Sequence, residues 1–598
     1  MQNHLAADHP LAQPLPATWM DDQEILHNID GRMHGPMSRF IKKYFGNFQY
    51  VYQDDASLEI QLSGRVVGRC AVPSAAPSPG NFLQWFSSYL SRELDGARGL
   101  WHINETADDG ACLLLAMPAS SASNVRTSWD HVQVIGQFYR RSVCYRDGLL
   151  RLCRSARQVF SSQPTRLFLH GFYIRGVLIE LWAFDRSGLY CSDVFDVQKD
   201  FPQFLNIILS YQQMTDYDLG KLSIIETDTG GNYIVLDSVG KLYLESQPIA
   251  FRDRLVGTGT TCYRARSPDS NRWSCIVKFK WRWGKERPEN ELLTLAKEKR
   301  VWGAVSLDYY KELESTANLR AGIRWGTHRK FTESSPDEKR ESIEEKQREI
   351  TYNAKGLAEY TEETDNFFQN RILACIVTSP VGRPLHTFRS LSELLQVFCD
   401  AIKCHRSLYR DAKILHQDIS LGNMIILENQ GEDDRDEEKP EGILIDLDSA
   451  QKLTEVDTER RITGTRPFMA IGVLKSECHT YRHDLESFLY VFLWTIITNH
   501  ADNPPETSRL QQWSNGDWNK LAARKSLDME QETFQNILDE FTPEFHCLKP
   551  LVMNLHRILF PLRDGVVWIG TDDSPEAVDS LYDGMIRAFE DALASRLF

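Results

Sequence analysis

Short apolar runs dominate the first half of the chain, and longer helical stripes dominate the second. Residues 166–174 and 177–184 are rich in β-branched and aromatic residues and are separated by Arg175-Gly176, which predicts a hairpin. Residues 149–160, which precede them, have helical spacing. We therefore predict an α+β N-terminal domain over residues 21–245.

The sequence after residue 246 begins with strands and continues with helices. Four apolar runs around this point predict strands, at residues 233–236, 241–244, 262–265 and 273–280. Residues 391–409 carry an apolar stripe at i, i+3 and i+4 spacing, which predicts an amphipathic helix. Residues 485–498 are apolar but too short to span a membrane, so they predict a buried core helix. We expect a second domain over residues 246–598.

Three segments fall outside these patterns. Residues 1–20 are rich in Ala, Pro and His, and we expect them to be disordered. Residues 329–349 mix Lys, Arg and Glu densely, while residues 428–441 are mostly acidic. Charge runs of this kind form solvated loops or surface helices, so both segments are predicted to be insertions in the second domain.

Composition and charge narrow the classes of function. The 598 residues include 83 acidic and 68 basic side chains, and the net charge of −15 disfavours nucleic acids and anionic membranes as partners. The chain has no apolar run long enough to cross a membrane and no secretory signal at its start. Its 12 cysteines contain no Cys-x-x-Cys pair, which is typical of reduced thiols. We expect an intracellular protein, in the cytoplasm or the nucleus.

The strongest chemical signal is the segment 416–423, His-Gln-Asp-Ile-Ser-Leu-Gly-Asn. Asp418 can accept the proton of a hydroxyl group, and Asn423 can reach a Mg²⁺ ion held by a triphosphate. The apolar strand at 443–445 then ends at Asp446, where a second metal ligand is expected. This order and spacing predict a phosphoryl-transfer loop.

Two upstream features fit the same chemistry. A short loop between predicted strands contains small residues whose backbone can approach phosphates, namely Gly257, Gly259 and Thr260. Lys278, which has apolar neighbours on the next strand, can hold the α- and β-phosphates of a nucleotide. Glu289 or Glu291 on the following helix can orient that lysine.

Taken in order, these residues resemble the fungal-type protein kinase family. The matching segments are residues 163–172, 181–188, 257–265, 418–423, 468–471 and 483–488. The resemblance covers about residues 129–500 and implies a bilobal protein-kinase-like fold, with a β-rich N-lobe and a helical C-lobe, preceded by the N-terminal domain. It further implies ATP and Mg²⁺ as cofactors and phosphoryl transfer to Ser/Thr hydroxyls of protein substrates that the sequence does not identify.

The resemblance also implies a role for individual residues. Lys278 matches the lysine that holds the phosphates, with Glu291 as its partner and Glu289 as the alternative. Asp418 matches the catalytic base. Two residues match Mg²⁺ ligands, namely Asn423 and Asp446.

Three further matches concern the surroundings of the catalytic loop. Thr465 matches the activation-segment threonine that forms a hydrogen bond near the catalytic base. Asp484 matches the helix residue that braces the catalytic loop. The hinge that contacts adenine is expected near residues 376–382.

The sequence departs from the family pattern at several positions. Gln417 stands where an arginine usually receives an activation-loop phosphate, so activation by loop phosphorylation is not expected. Gly472 replaces a glutamate that forms a buried ion pair, and Asp448 replaces the glycine that follows the metal-binding aspartate. Gly472 and a phosphate loop shorter than the family pattern leave open a pseudokinase that acts as a binding scaffold. Ser420, which stands where Ser/Thr kinases usually have a lysine, leaves open a small-molecule phosphotransferase.

The N-terminal domain carries a separate resemblance. Asp130 and residues 134–139 faintly resemble the core of a restriction-endonuclease-like fold, but Gln137 and Tyr139 stand where its acid and its lysine are expected. Such a degenerate nuclease-like domain would be non-catalytic and would dock a regulator. The alternative is a plain buried strand.

Overall fold

The structure is a computed structural model that describes most of the chain. The described residues are 19–52, 57–62, 64–71, 75–90, 97–106, 110–117, 128–140, 145–325, 329, 350–351, 368–427, 439–454, 462–501 and 503–595. The predicted disordered segment 1–20 lies outside them except for its last two residues. Most of the predicted insertions 329–349 and 428–441 also lie outside the described residues.

The chain is mixed α+β and divides into two compact units. The first unit comprises Met1–Asn271, Val277–Glu286 and Lys311–Cys375. The second unit comprises Arg272–Ile276, Arg287–Tyr310 and Ile376–Phe598. The predicted domain boundary near residue 245 and the predicted bilobal arrangement stay predictions.

Most of the strands precede residue 380. The helices and strands of this part are α1 (Trp19–Ile29), β1 (Met33–His34), α2 (Phe40–Phe45), β2 (Phe48–Tyr52), β3 (Ser57–Leu62), β4 (Arg65–Ala71), α3 (Phe82–Leu90), β5 (Leu100–Thr106), β6 (Gly110–Ala116), β7 (Val132–Tyr139), α4 (Tyr145–Ser162), β8 (Phe168–Arg175), β9 (Leu178–Asp185), β10 (Gly188–Cys191), β11 (Phe195–Asp196), α5 (Phe201–Gln213), β12 (Glu226–Asp228), β13 (Gly231–Leu236), β14 (Gly240–Leu244), β15 (Ala250–Phe251), β16 (Thr261–Arg266), β17 (Cys275–Trp283), α6 (Glu289–Glu298), β18 (Ser306–Ser315), α7 (Thr316–Leu319), β19 (Arg324–Trp325), β20 (Ile350–Thr351) and β21 (Arg371–Ser379).

The first large sheet lies in the N-terminal part of the first unit. Its strand order is β1-β10-β9-β8-β7-β6-β5, and β11 pairs with β9. Strands β7 and β8 are parallel and are joined by α4. The predicted hairpin at Arg175-Gly176 is confirmed, because β8 and β9 are antiparallel and Arg175 pairs with Leu178.

Both faces of this sheet are covered by apolar side chains. On β8, Phe172 and Ile174 belong to one hydrophobic cluster, while Leu169 and Tyr173 belong to another that includes residues of α4. Successive side chains of a strand point to opposite faces, so an uninterrupted apolar run indicates a strand that is buried on both sides. Gln137 on β7 is also buried, and its Nε2 atom donates to a backbone carbonyl at 3.2 Å. The role of this domain stays a prediction.

The second large sheet contains the strands that flank the glycine loop and carry Lys278. Its order is β12-β13-β14-β16-β17-β21-β18, with β15 also paired with β16. The four strand predictions around residue 246 are confirmed, as β13, β14, β16 and β17. The predicted hinge at 376–382 covers the end of β21 and the three residues that follow it. Its role stays a prediction.

Helices dominate the rest of the chain. Its elements are β22 (Gly382–Pro384), α8 (Leu391–Asp411), β23 (Ile414–Leu415), β24 (Met424–Leu427), β25 (Gly442–Leu444), β26 (Gln451–Lys452), α9 (Ile471–Leu474), α10 (Tyr481–Thr498), α11 (Trp518–Asp528), α12 (Gln531–Leu538), α13 (Lys549–Leu559), β27 (Leu562–Arg563), β28 (Val566–Val567) and α14 (Pro575–Ala594).

The core of the second unit forms around α8 and α10. Helix α8 begins at the N-cap Ser390, whose side chain accepts from the Glu393 backbone N–H, and its apolar stripe packs into the core as predicted. Every residue of α10 is buried, which confirms the predicted core helix. The rings of Phe398 on α8 and Phe589 on α14 stack with centroids 5.8 Å apart. Segment 416–423 lies in the same unit, and its Ile419 packs in the same hydrophobic cluster as these helices.

Two composition-based expectations can be compared with the described residues. None of the described helices combines the length and apolar character needed to cross a membrane. The ten cysteines whose side chains are described form no disulfide among themselves. The expected location in the cytoplasm or the nucleus stays a prediction.

Candidate active site

The segment 416–423 is attached to the core by a buried histidine. The ring of His416 is inaccessible to solvent, and its Nε2 atom lies 3.1 Å from the Ile445 carbonyl oxygen. Its Nδ1 atom accepts from the Asp418 backbone N–H at 3.4 Å. Burial lowers the pKa of His416, which favours the neutral ring that this pattern of one donor and one acceptor requires. His416 thus joins the loop of Asp418 to the strand end before Asp446.

Asp418 is held through its carboxylate by Thr465 and through its backbone carbonyl by Asn423. Thr465 Oγ1 donates a hydrogen bond to Asp418 Oδ1 at 2.7 Å. Asn423 Nδ2 donates to the Asp418 carbonyl at 2.9 Å, and the Asn423 carbonyl accepts from the Ile445 N–H at 3.0 Å. Because its amide nitrogen is used in this way, Asn423 retains Oδ1, the atom that a metal ion would need. The structure therefore brings together Asp418, Asn423 and Thr465.

A buried aspartate holds the backbone just before Asp418. Asp484 Oδ2 accepts from the Gln417 N–H at 3.1 Å and lies 2.8 Å from His405 Nε2, while Oδ1 lies 2.8 Å from His479 Nε2. Burial alone would raise the pKa of Asp484, but the charge of His479 and the hydrogen bonds from both histidines lower it well below its usual range. The carboxylate stays ionised and fixes Gln417, whose φ of 64° is in the left-handed region.

The two histidines around Asp484 were not predicted from the sequence. His405 lies on α8, and its Nδ1 atom is 2.8 Å from the Tyr582 hydroxyl on α14. His479 precedes α10 and is separated from His405 by more than 70 residues of sequence. No local pattern singles out either residue, because their shared contact with Asp484 arises only in the folded second unit.

Three carboxylates converge at the end of the strand that follows the loop. Glu289, Asp446 and Asp448 each offer an oxygen atom, and these atoms lie within 4.8 Å of one another. Asp446 adopts a left-handed backbone with φ of 67°. Its Oδ1 atom accepts a hydrogen bond from the Asp448 N–H at 3.4 Å. Glu289 is 6 % exposed, and its Oε1 atom accepts from the Leu447 N–H at 3.3 Å. Carboxylate oxygens are the ligands that Mg²⁺ takes in proteins, so this donor set fits a magnesium ion.

Glu291 does not join this cluster. Its side chain is 51 % exposed, and its Oε2 atom lies 3.5 Å from Arg287 Nε. Residues two positions apart on a helix point about 200° apart around its axis, so only one of Glu289 and Glu291 can face the core. In the second unit the residue that does so is Glu289.

The remaining predicted residues belong to the first unit. Gly257 has φ of 132° and Gly259 has φ of 49°, so both adopt backbone conformations that favour glycine. The Gly257 N–H donates to the Arg186 carbonyl at 3.0 Å, and the Thr260 carbonyl accepts from the Arg252 N–H at 3.0 Å. Lys278 lies on β17 and is 9 % exposed.

The segment after Thr465 is anchored without the expected glutamate. Lys525 Nζ on α11 donates to the carbonyls of Pro467 and Met469, both at 2.7 Å. Glu486 on α10 accepts from the Ile471 N–H at 2.7 Å and pairs with the buried Arg482 at 2.7 Å.

Gly472 has no space for a larger side chain. A Cβ atom there would lie 2.4 Å from His483 Nε2. The buried carboxylate in this region comes from Glu486 instead, and a buried lysine on α11 provides the second anchor.

Comparison with known proteins gives one family. The family model described as fungal protein kinase matches residues 111–496. No curated protein matches the chain. The match begins in β6 and ends within α10, so it includes segment 416–423, the acidic cluster of Glu289, Asp446 and Asp448, and most of the first large sheet.

Proposed function

Because the chain belongs to the fungal protein kinase family, we propose that it is a protein kinase that transfers the γ-phosphoryl group of ATP to Ser or Thr hydroxyls. One observation carries the proposal: Asp418 receives a hydrogen bond at 2.7 Å from Thr465, which lies on the segment expected to contact the substrate. A carboxylate held in this way can orient a hydroxyl group and accept its proton.

Each of the other residues contributes to positioning. Asp446 and Asn423 are proposed to bind Mg²⁺, with Asp448 as a further oxygen donor. Bound Mg²⁺ would neutralise the charge that develops on the transferred phosphoryl group. Glu289 is proposed to act in the site in place of Glu291, because its carboxylate is buried beside Asp446 and Asp448.

The residues proposed to bind the phosphates of ATP belong to the first unit, and they are assigned by family resemblance. Lys278 is proposed to hold the α- and β-phosphates. The backbone of the glycine loop is proposed to approach the phosphates, through Gly257, Gly259 and Thr260. The protein substrate, and a regulator that docks on the N-terminal domain, are proposed partners.

The test is transfer of labelled γ-phosphate from ATP and Mg²⁺ to a library of Ser, Thr and Tyr peptides. We expect label on Ser and Thr peptides with the natural protein and none with Asp446→Ala, which lacks the main metal ligand. Label on metabolites but not on peptides would instead indicate a small-molecule phosphotransferase. Binding of ATP without any transfer would indicate a pseudokinase.

A further inference from the structure

The turn between β9 and β10 joins the first large sheet to the glycine loop. It consists of Asp185, Arg186 and Ser187, and all three side chains are almost fully buried. We propose that Arg186 is a positioning residue that holds the glycine loop in the conformation that receives the phosphates of ATP. The inference rests on the proposed function, because it assigns the loop its ligand.

Arg186 contacts the loop through both its backbone and its side chain. Its carbonyl accepts from the Gly257 N–H at 3.0 Å, and its Nη1 atom donates to the Arg254 carbonyl at 2.6 Å. A Cβ atom on Gly259 would lie 2.8 Å from the Arg186 Cζ atom, so the guanidinium packs directly against this glycine. The Arg186 Cζ atom also lies 4.4 Å from the centre of the Phe160 ring on α4.

The segment that leads into the loop is also part of the N-terminal core. Leu255 and Val256 are buried in the hydrophobic cluster that contains α4. Asp253 Oδ1 accepts from Arg157 Nε at 3.1 Å and from the Ser161 hydroxyl at 2.5 Å. The loop therefore begins from a fixed point, and Arg186 contacts its residues Gly257 and Gly259.

The neighbours of Arg186 secure the turn itself. Asp185 forms two hydrogen bonds of 2.6 Å with the guanidinium of Arg320, and both side chains are fully buried. The Ser187 hydroxyl lies 2.8 Å from Thr316 Oγ1 and donates to the Gln369 carbonyl at 2.5 Å. Such a network fixes the direction of the turn, so movement of Arg186 would require several buried polar groups to lose their partners.

Burial of the Arg186 side chain carries an energetic penalty that a purely structural contact would not require. Its Nε atom is buried and has no hydrogen-bond partner among the described residues. Burial also lowers the pKa of Arg186 to about 10. A buried charged group with an unused donor destabilises a fold, and an apolar residue of similar size would avoid this penalty. Its contacts with Arg254, Gly257 and Gly259 favour a role in positioning the glycine loop.

The first part of the test measures the loop without nucleotide. Amide hydrogen exchange is followed at residues 255–262 in the full chain and in the Arg186→Met variant. Arg166→Met is the matched control, because Arg166 is equally buried in the same unit but donates to the Phe168, Gln133 and Leu219 carbonyls, none of which belongs to residues 255–262. We expect faster exchange at these residues in Arg186→Met only.

The second part measures phosphoryl transfer with Mg²⁺ and ATP. Arg186→Met is expected to raise the KM for ATP by about tenfold with a smaller change in kcat, because a weakened loop binds the phosphates less well. Arg186→Lys, which keeps a donor toward the Arg254 carbonyl, is expected to recover part of the affinity. Gly259→Ala should raise the KM as well, since its Cβ atom would displace the guanidinium.

The outcomes separate this inference from the proposed function. An active natural protein whose Arg186→Met variant matches Arg166→Met in loop exchange and in KM would overturn the positioning role alone. If Arg186→Met does not fold, Gly259→Ala with an unchanged KM would overturn it equally. A natural protein that binds no ATP would overturn the proposed function and, with it, the ligand assigned to the loop.

Discussion

Three hydrogen bonds hold Asp418, because its N–H donates to His416 Nδ1, its carbonyl accepts from Asn423 Nδ2 and its Oδ1 accepts from Thr465 Oγ1. The sequence predicts its proximity to Asn423, because five residues of a tight loop leave few ways to separate the two side chains. Thr465 lies 47 positions further along the chain. Only the family resemblance indicated its position, since no local pattern brings a distant loop threonine to a carboxylate.

The hydrogen bond from Thr465 should matter for turnover. Thr465→Val keeps the size of the side chain and removes the donor to Asp418 Oδ1, so we expect kcat to fall by about tenfold to a hundredfold. Thr465→Ser retains the hydroxyl and should keep most of the activity. Steady-state kinetics with a peptide substrate measures both, and an unchanged kcat in Thr465→Val would contradict the role of this bond.

Glu289 and Glu291 mark the limit of prediction for single residues. Both lie in the first turn of α6, and the sequence does not determine which one faces inward, because this depends on how the helix packs. The apolar residues Leu292 and Leu293 are buried, which orients the helix so that Glu289 is inside. Packing of the whole helix, and not local sequence, therefore selects the glutamate.

The two glutamates provide a matched pair for a metal test. Glu289→Gln removes one charge from the acidic cluster, so the Mg²⁺ concentration for half-maximal activity should rise by about tenfold. Glu291→Gln removes an exposed charge that pairs with Arg287, and an exposed pair contributes little, so a change below about twofold is expected. Titration of activity with Mg²⁺ measures both variants, and equal effects would contradict the assignment of Glu289.

At the scale of elements, α10 and α11 determine the shape of the segment after Thr465. The absence of a glutamate at Gly472 was evident from the sequence, but its replacement was not. Lys525 lies over the rings of Tyr490 and Trp513, with Nζ 4.1 and 4.9 Å from their centres. A lysine in an amphipathic helix normally predicts an exposed position, so its complete burial could be found only from the structure.

Lys525 should give the second unit a characteristic dependence on pH. Burial lowers the pKa of Lys525 to about 7, against the opposing effects of Glu486 and Asp528, while the ordinary pKa of a lysine is 10.5. Between these two values the unfolded chain binds a proton that the folded chain does not, so stability conferred by this residue rises with pH. Below about pH 7 both states are protonated and the penalty for burying the charge is complete.

The measurement is the free energy of unfolding in urea at pH 7 and pH 9. We expect the stability of the natural protein to rise relative to Lys525→Met between these two pH values, because the variant lacks the titrating group. Groups common to both proteins cancel in the difference. A difference that stays constant or falls with pH would contradict the buried position of Lys525.

Gln417 in segment 416–423 leads to a prediction about how the proposed kinase activity is regulated. Gln417 is neutral, and its Nε2 atom donates to Gln451 Oε1 at 2.9 Å, so it offers no paired charge to an activation-loop phosphate. Treatment with a phosphatase should therefore leave the kinase activity of the purified protein within about twofold of its starting value. Loss of activity after treatment, restored by rephosphorylation, would contradict this expectation.

At the scale of the whole molecule, periodicity predicted individual helices and strands but not the contacts between distant segments. The hairpin, the helices and the strands around Lys278 follow from local patterns of apolar residues. The contacts of Asp185 with Arg320 and of Ser187 with Gln369 join segments more than 130 residues apart, and local patterns contain no information about them. The family match from residue 111 likewise includes both the sheet and the glycine loop.

These contacts bear on the predicted boundary near residue 245. A fragment of residues 246–598 would leave the buried Arg320 without Asp185, and loss of one partner of a buried ion pair costs about 3–5 kcal/mol. It would also expose Leu255 and Val256. We expect this fragment to aggregate or to bind ATP much more weakly than the full chain, as measured by size-exclusion chromatography and calorimetry. A monomeric fragment with the same affinity for ATP would contradict this expectation.

The central claim is that Asp418 acts as the base of a phosphoryl-transfer site. The most direct measurement compares single-turnover transfer of labelled γ-phosphate to a peptide by the natural protein and by Asp418→Asn, with ATP binding measured in parallel. The account predicts that Asp418→Asn loses transfer by about 10²–10⁴-fold while it still binds ATP, because the base is lost and the metal ligands remain. Transfer at the natural rate by a folded Asp418→Asn protein would contradict it.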